Sequence, residues 1–153
     1  MRRHIGVNIR IFRRFIRVIG ELFDEVHTFI ILLINNVQYK SIISHGVPYF
    51  CVSPKGICKI GEKLNMNNGL RFNPIGYVQP CTIYVYNDAV LEIGNNVGMS
   101  QASIICHHSI TIEDNVKIGG GVKIYDTDFH SIDPKLRLDH KLDMGGKKCL
   151  LFF

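Results

Sequence analysis

The chain of 153 residues contains no tryptophan, so its aromatic content rests on nine Phe and six Tyr. Its five cysteines, Cys51, Cys58, Cys81, Cys106 and Cys149, form no C-x-x-C pair, and their number is odd. That pattern argues against a disulfide framework and against a zinc site. Reduced thiols in a cytosolic protein are the expectation, with Cys106, inside an apolar run, a small core residue. Long apolar runs are missing too. The longest, residues 29–34, falls far short of the ~20 residues of a spanning helix, and no cleavable leader is evident. Residues 1–20 contain no acid but carry Arg2, Arg3, Arg10, Arg13, Arg14 and Arg17. The net charge of +5 belongs to that end, because the other 12 Lys and Arg face 13 Asp and Glu. A nucleic-acid reader spreads its basic residues over a working face, so no nucleic-acid partner is expected.

Proline is absent before Pro48. Over residues 7–34 the apolar positions Ile9, Phe12, Ile16, Ile19, Phe23, Val26, Ile30 and Leu33 alternate steps of three and four, which predicts an amphipathic helix. Asn35 and Asn36 supply a stop. Arg10, Arg13, Arg14 and Arg17 cluster on a neighbouring stripe. Two uses fit such a helix. It can bury its stripe against the body or a partner subunit as a cap, the reading favoured here. It can also lie on an anionic membrane through residues 1–34.

After residue 45 helical periodicity gives way to Gly, Asn and β-branched residues, with Pro48, Pro54, Pro74 and Pro80 excluding long helices. A six-residue repeat takes over, clearest in the stretches 93–98, 99–104 and 105–110. After one extra residue, Thr111, it continues as 112–117, 118–123 and 124–129. Each unit opens with Ile or Met. The fifth position is Val97, Ser103, Ser109, Val116 or Val122 in all but the last. A hexad supplies one short strand and one tight turn, and three hexads close a triangular coil. The opening residue points inward and stacks on its equivalent one coil away, the fifth residue is expected to fill the same interior from the other side of the turn, and Gly, Asn and Asp turn the corners. Ile93 and Ile112 are expected to start successive coils, with the insertion bulging at a corner. Ile60 and Met66 fit the same frame. Residues 69–82 do not, and are expected to form an excursion. The predicted organisation is a helical segment over 1–45, a β-helix over 46–135 and a loop with a short C-terminus over 136–153.

With the hexads before it, the string IGGGVKIYDTDFHSIDP at residues 118–134 resembles the hexapeptide-repeat O-acetyltransferases, which include maltose, galactoside and surface-polysaccharide acetyltransferases. The stretch 125–131 is most similar to the polysaccharide-modifying branch. The resemblance covers residues 90–135 and extends back to 46. It implies an all-β left-handed parallel β-helix and a homotrimer with an active site in each groove between neighbouring coils. Acetyl-CoA would be the cosubstrate, no cofactor would be held tightly, and the acceptor would be a hydroxyl of a sugar or glycan. The location implied is cytoplasmic, or peripheral to the inner face of the membrane. The family's catalytic histidine falls within residues 125–134, where His130 is the only His. Ser100 and His108 match by position residues that line the acceptor pocket, although they are not the usual types. Relatives of this kind carry further coils beyond the part matching 133–148, so the resemblance also implies a truncated copy with an incomplete donor site. The competing functional reading is an inactive β-helix remnant serving only assembly or membrane contact.

Acetyl transfer to a hydroxyl requires a base, a held thioester and a donor for the oxyanion. An imidazole, with an ordinary pKa near ~6.5, suits the first task, and His130 is assigned to it. Asp126 and Asp128 flank it as groups that orient the ring or hold the sugar, or that simply shape a turn. His107 and His108 occupy a corner, as solvated turn residues or pocket residues. The run Gly119-Gly120-Gly121 is not a phosphate loop, because no Lys-Ser or Lys-Thr follows it.

Overall fold

The computed structural model describes residues 2–75, 77–131, 133–138, 143 and 151–152. Helix α1 (Arg2–Ile34) begins earlier than its apolar periodicity predicts and ends where the asparagines stand. Asn35 closes it twice. Its amide donates to the Ile31 carbonyl at 2.9 Å, and its carbonyl accepts from the Val52 N–H at 2.8 Å. Asn36, at φ 49°, then takes the left-handed conformation that reverses the chain.

Thirteen short strands follow among the described residues. They are β1 (Gln38–Tyr39), β2 (Ile42–His45), β3 (Tyr49–Val52), β4 (Ile57–Ile60), β5 (Leu64–Asn67), β6 (Thr82–Val85), β7 (Val90–Ile93), β8 (Gly98–Ser100), β9 (Ser103–Cys106), β10 (Ser109–Ile112), β11 (Lys117–Ile118), β12 (Lys123–Tyr125) and β13 (Leu151–Phe152). The chain visits three sheets in rotation, ordered β1-β4-β7-β10-β13, β2-β5-β8-β11 and β3-β6-β9-β12. Each described pairing is parallel. These are stacked parallel sheets behind one N-terminal helix, the arrangement of a parallel β-helix. The ladder starts at Gln38, ahead of the expected boundary at 46, because β1 and β2 already pair with β4 and β5.

Ile93 stands opposite Ile112 and Met99 opposite Ile118, so the coil starts fall as the hexads predict. Ile60, Met66, Ile93, Met99 and Ile112 are buried in one continuous apolar column. At roughly 2–3 kcal/mol per buried aliphatic side chain, such stacking is the main stabilising contribution of each coil. Corners carry positive φ at Asp88, Asn96 and Asn115, residue types that tolerate it best. Asn96 donates to Asn115 one coil away at 2.8 Å, which ties successive corners together.

The frame itself needs correcting between Met99 and Ile112. The sequence pattern places Ile105 inside and the extra residue at Thr111. In the structure Ile104 and Cys106 are buried, whereas Ile105 is only partly so. Thr111 is an ordinary strand residue of β10 paired with Glu92. The slip falls at the corner Gln101–Ala102, where Gln101 takes φ 46° and Ala102 fills the interior. Ser103 and Ser109 therefore leave the interior, and Val122 is 40% exposed. Two substitutions test this frame. Ile104→Ala empties a buried site and should cost about 3 kcal/mol, whereas Ile105→Ala should cost about 1 kcal/mol or less. Urea midpoints of the two variants read the difference. A larger loss in Ile105→Ala than in Ile104→Ala would restore the original frame.

Between β5 and β6 the chain leaves the coil, as residues 69–82 predict. The excursion returns against the next corners: Ile75 abuts Gly120, and Tyr77 lies on Gly121, which has φ 77°. A Cβ at either glycine would collide with those side chains, which accounts for Gly120 and Gly121 without any phosphate. At the other end Leu151 and Phe152, expected outside the repeat, pair with Ile110 and Thr111 as β13. Residues 145–148, whose Gly-Gly-Lys-Lys run reads from sequence as the approach to a further coil, and Cys149 lie outside the described residues.

α1 also departs from expectation in what it buries. Thr28 and Leu32 are buried against the coil end, where Leu32 joins Val37 and Phe50 in the core. The apolar stripe of α1 is exposed instead, with Phe23 at 72% and Leu33 at 68%. The coil is met through the side of the helix bearing Thr28 and Leu32, not through the stripe.

Candidate functional site

The site grows from the end of β12. Asp126, the next residue, is fully buried, and its carboxylate accepts three backbone N–H groups from the coil below. The donors are His107 at 2.6 Å, His108 at 2.8 Å and Ser109 at 2.7 Å. The turn between β9 and β10 has no strand partner for these donors, and the carboxylate satisfies all three. Of the alternatives weighed for Asp126 from sequence, the structure shows the turn-shaping one: the buried carboxylate is a structural clamp spent on backbone donors. Asp128 is exposed, which leaves it accessible to an acceptor.

The clamp brings one corner together. His107 stacks on Tyr86 with ring centroids 3.7 Å apart and meets the edge of Phe129 at 5.7 Å. Tyr125 reaches the same Phe129 at 5.2 Å. Phe129 sits at φ 61°, and its N–H donates to the Thr127 hydroxyl at 3.1 Å. This tight turn delivers His130 to the surface one residue later. His108 shares the corner through its backbone, its ring lying 6.4 Å from that of His107.

His130 does not pair with the flanking acids considered from sequence. Its Nδ1 lies 2.7 Å from Asp143 Oδ2, while Asp143 Oδ1 accepts the Ser131 N–H at 2.7 Å. The Asp143 side chain is 10% exposed and that of His130 55%. The Ser131 N–H, and then the His130 ring, hold the Asp143 carboxyl below its ordinary pKa. A carboxylate only accepts, so a neutral imidazole here must carry its proton on Nδ1, which leaves Nε2 with a lone pair. Sequence reasoning missed Asp143. It stands 13 positions away in the chain, outside any repeat, and no periodic signal marks it.

Ser100 is not brought to this corner. It ends β8 on another sheet, where its hydroxyl accepts from the Asn67 amide at 3.1 Å. It lines a shallow cavity with His45, Asn65 and Lys117. The thiols of Cys58 and Cys106 are pushed up to about 12 by burial, which makes them inert core groups. Among the described residues the cysteines are free, and none of the His, Cys, Asp and Glu side chains form a group able to hold a metal. No described helix is long and apolar enough to cross a membrane. No protein-family model, curated protein or solved structure matches the chain.

His107 carries a pH signature. Burial chiefly lowers its pKa from the ordinary value, and His108 adds to this against the opposing pull of Asp126. Its Nε2 is buried with no hydrogen-bond partner among the described residues. The unfolded chain therefore binds this proton more readily than the folded one. The stability tied to neutral His107 is present above the unfolded value of about 6.5 and falls as pH drops through the lower folded value. His107→Phe keeps the stack on Tyr86 and has no proton to gain. Its melting temperature should vary less between pH 7 and pH 5 than that of the parent. Parallel profiles would show that His107 is not the responsible group.

Proposed function

We propose that this chain is a left-handed β-helix O-acetyltransferase that moves an acetyl group from acetyl-CoA to a hydroxyl of a sugar or surface-polysaccharide precursor. The observation that carries this reading is the Asp143–His130 pair. It presents an exposed imidazole whose Nε2 has no partner among the described residues, in a segment that resembles the catalytic segment of such enzymes.

In this reading Nε2 takes the acceptor hydroxyl proton as the oxygen attacks the thioester carbonyl carbon. The C–S bond then breaks, and the imidazolium returns its proton to the departing CoA thiolate. Asp143 keeps the ring in the required tautomer and offsets its transient charge, as a carboxylate does behind a catalytic histidine. Exposed Asp128 is the candidate acceptor ligand on this chain. Ser100, on a different sheet, would contribute only across a groove shared with a neighbouring subunit, as in a homotrimer.

The test is release of CoA from acetyl-CoA by the purified chain, followed with a thiol reagent over a panel of mono- and oligosaccharides. Acceptor-dependent release with a matching acetyl ester in the product is the expected result. Absence of acceptor-dependent release across the panel would overturn the assignment and favour an assembly-only remnant.

A further inference from the structure

The exposed face of α1 is a broad apolar surface that the acetyl-transfer reading leaves unused. Phe12, Phe15, Ile16, Phe23, Val26 and Leu33 are between 53% and 72% exposed. At about 100° per residue the exposed apolar positions of α1 share roughly 160° of its circumference. Thr28 and Leu32, through which α1 meets the coil, lie on the opposite side, as does Glu21, 3.7 Å from Arg71 of the excursion. The coil therefore leaves the whole apolar face free. A patch of this extent, with several phenylalanines, marks a binding surface.

Charge selects the occupant. Arg10, Arg13, Arg14 and Arg17 are all exposed in the N-terminal half of α1, ahead of its first acid, Glu21. Arg13 and Arg14 fall nearest the two edges of the apolar face, where their long stems can lie along it while the guanidinium groups reach outward. The spacing of three and four also fits a seam between copies of the chain. Phe15, Leu22 and Phe29 widen the apolar face past a two-position seam, however, and a parallel bundle would gather the arginines with no acid beside them. An anionic lipid surface compensates Arg13 and Arg14, the pair nearest the edges, and accepts the full width of the face, while Arg10 and Arg17 lie on the polar side, about 160–180° from its middle.

We propose that α1 docks this protein on an anionic membrane, lying in the headgroup layer with its phenylalanines toward the acyl chains and the coil held on the aqueous side. The proposal is independent of the acetyl-transfer reading, because it uses none of the residues of the His130 corner.

The absence of tryptophan provides a clean probe. In full-length Phe15→Trp the single indole should emit as an exposed group in buffer. It should shift to the blue with phosphatidylcholine vesicles containing about one-third phosphatidylglycerol, and far less with phosphatidylcholine alone. Replacing Arg13 and Arg14 together with Gln in that background should weaken partitioning by on the order of 10–10²-fold at low salt. Phe12→Ser with Phe23→Ser should weaken it too, with coil melting unchanged because both positions face away from the coil. Equal binding to neutral and anionic vesicles, or binding to neither, would overturn the proposal. An indole already blue-shifted without vesicles, with mass rising with protein concentration and no vesicle binding, would place a second copy on the face and overturn it as well.

Discussion

His130→Ala is expected to lower acetyl transfer by about 10²–10⁴-fold while leaving the coil as stable as the parent. The two halves of this result have separate physical causes. The imidazole side chain is 55% exposed, and its ring contact is with Asp143. Removing it opens no core cavity, so urea and thermal midpoints should barely move. The activity loss follows because, among the described residues, His130 is the imidazole of this corner whose tautomer a carboxylate fixes. His107 is held neutral in its stack, and Asp126 is consumed by three N–H donors.

Asp143→Asn sharpens the same prediction. An amide turned to keep the Ser131 contact can offer its NH₂ to Nδ1, and the ring proton then moves to Nε2, the atom that has to act as base. A loss of about 10²-fold or more in kcat, with KM for the acceptor little changed, is expected of a positioning residue. Unchanged turnover in His130→Ala would remove the base from the mechanism. Loss in His130→Ala with full activity in Asp143→Asn would keep the base and discard its positioning.

Asp126→Ala should produce the largest stability loss of any polar substitution on this corner. Three backbone donors lose their acceptor at once, at a turn packed under Phe129 and Tyr125. With each unsatisfied donor costing about 1 kcal/mol or more, the sum is about 3 kcal/mol at least. For a chain of this size that corresponds to a fall in melting temperature of about 10 °C. Asp126→Asn keeps one acceptor oxygen and should lose roughly half as much. Because the same carboxylate ties β12 to the coil below, the turn carrying His130 should loosen with it, and amide exchange at residues 107–109 and 127–131 should accelerate. A melting temperature within 2 °C of the parent in Asp126→Ala, against the loss argued here, would show that these donors find other partners.

Much of the coil could be read from the chain because its cause is local. A coil needs one inward aliphatic every sixth residue and a permissive residue at each corner, and Ile93, Met99, Ile112, Ile118 and Ile124 record that requirement directly. The phase slip at Gln101 could not be read in the same way. Ile104 and Ile105 are equally apolar neighbours, and only the stacking of Ala102 and Ile104 on the coils above and below chooses between them.

By itself, then, the sequence determined the repeat, the helix and its stop at the asparagines, since each depends on residue type and spacing along the chain, while the candidacy of His130 came from the resemblance carried by residues 118–134. Tertiary structure alone decided which acid meets that imidazole, that Asp126 is spent on backbone donors, and which side of α1 turns to the coil. Those outcomes depend on groups 13 or more positions apart meeting in space, as Asp143 meets His130 and Asp126 meets the turn at His107. No periodicity within the chain encodes such meetings.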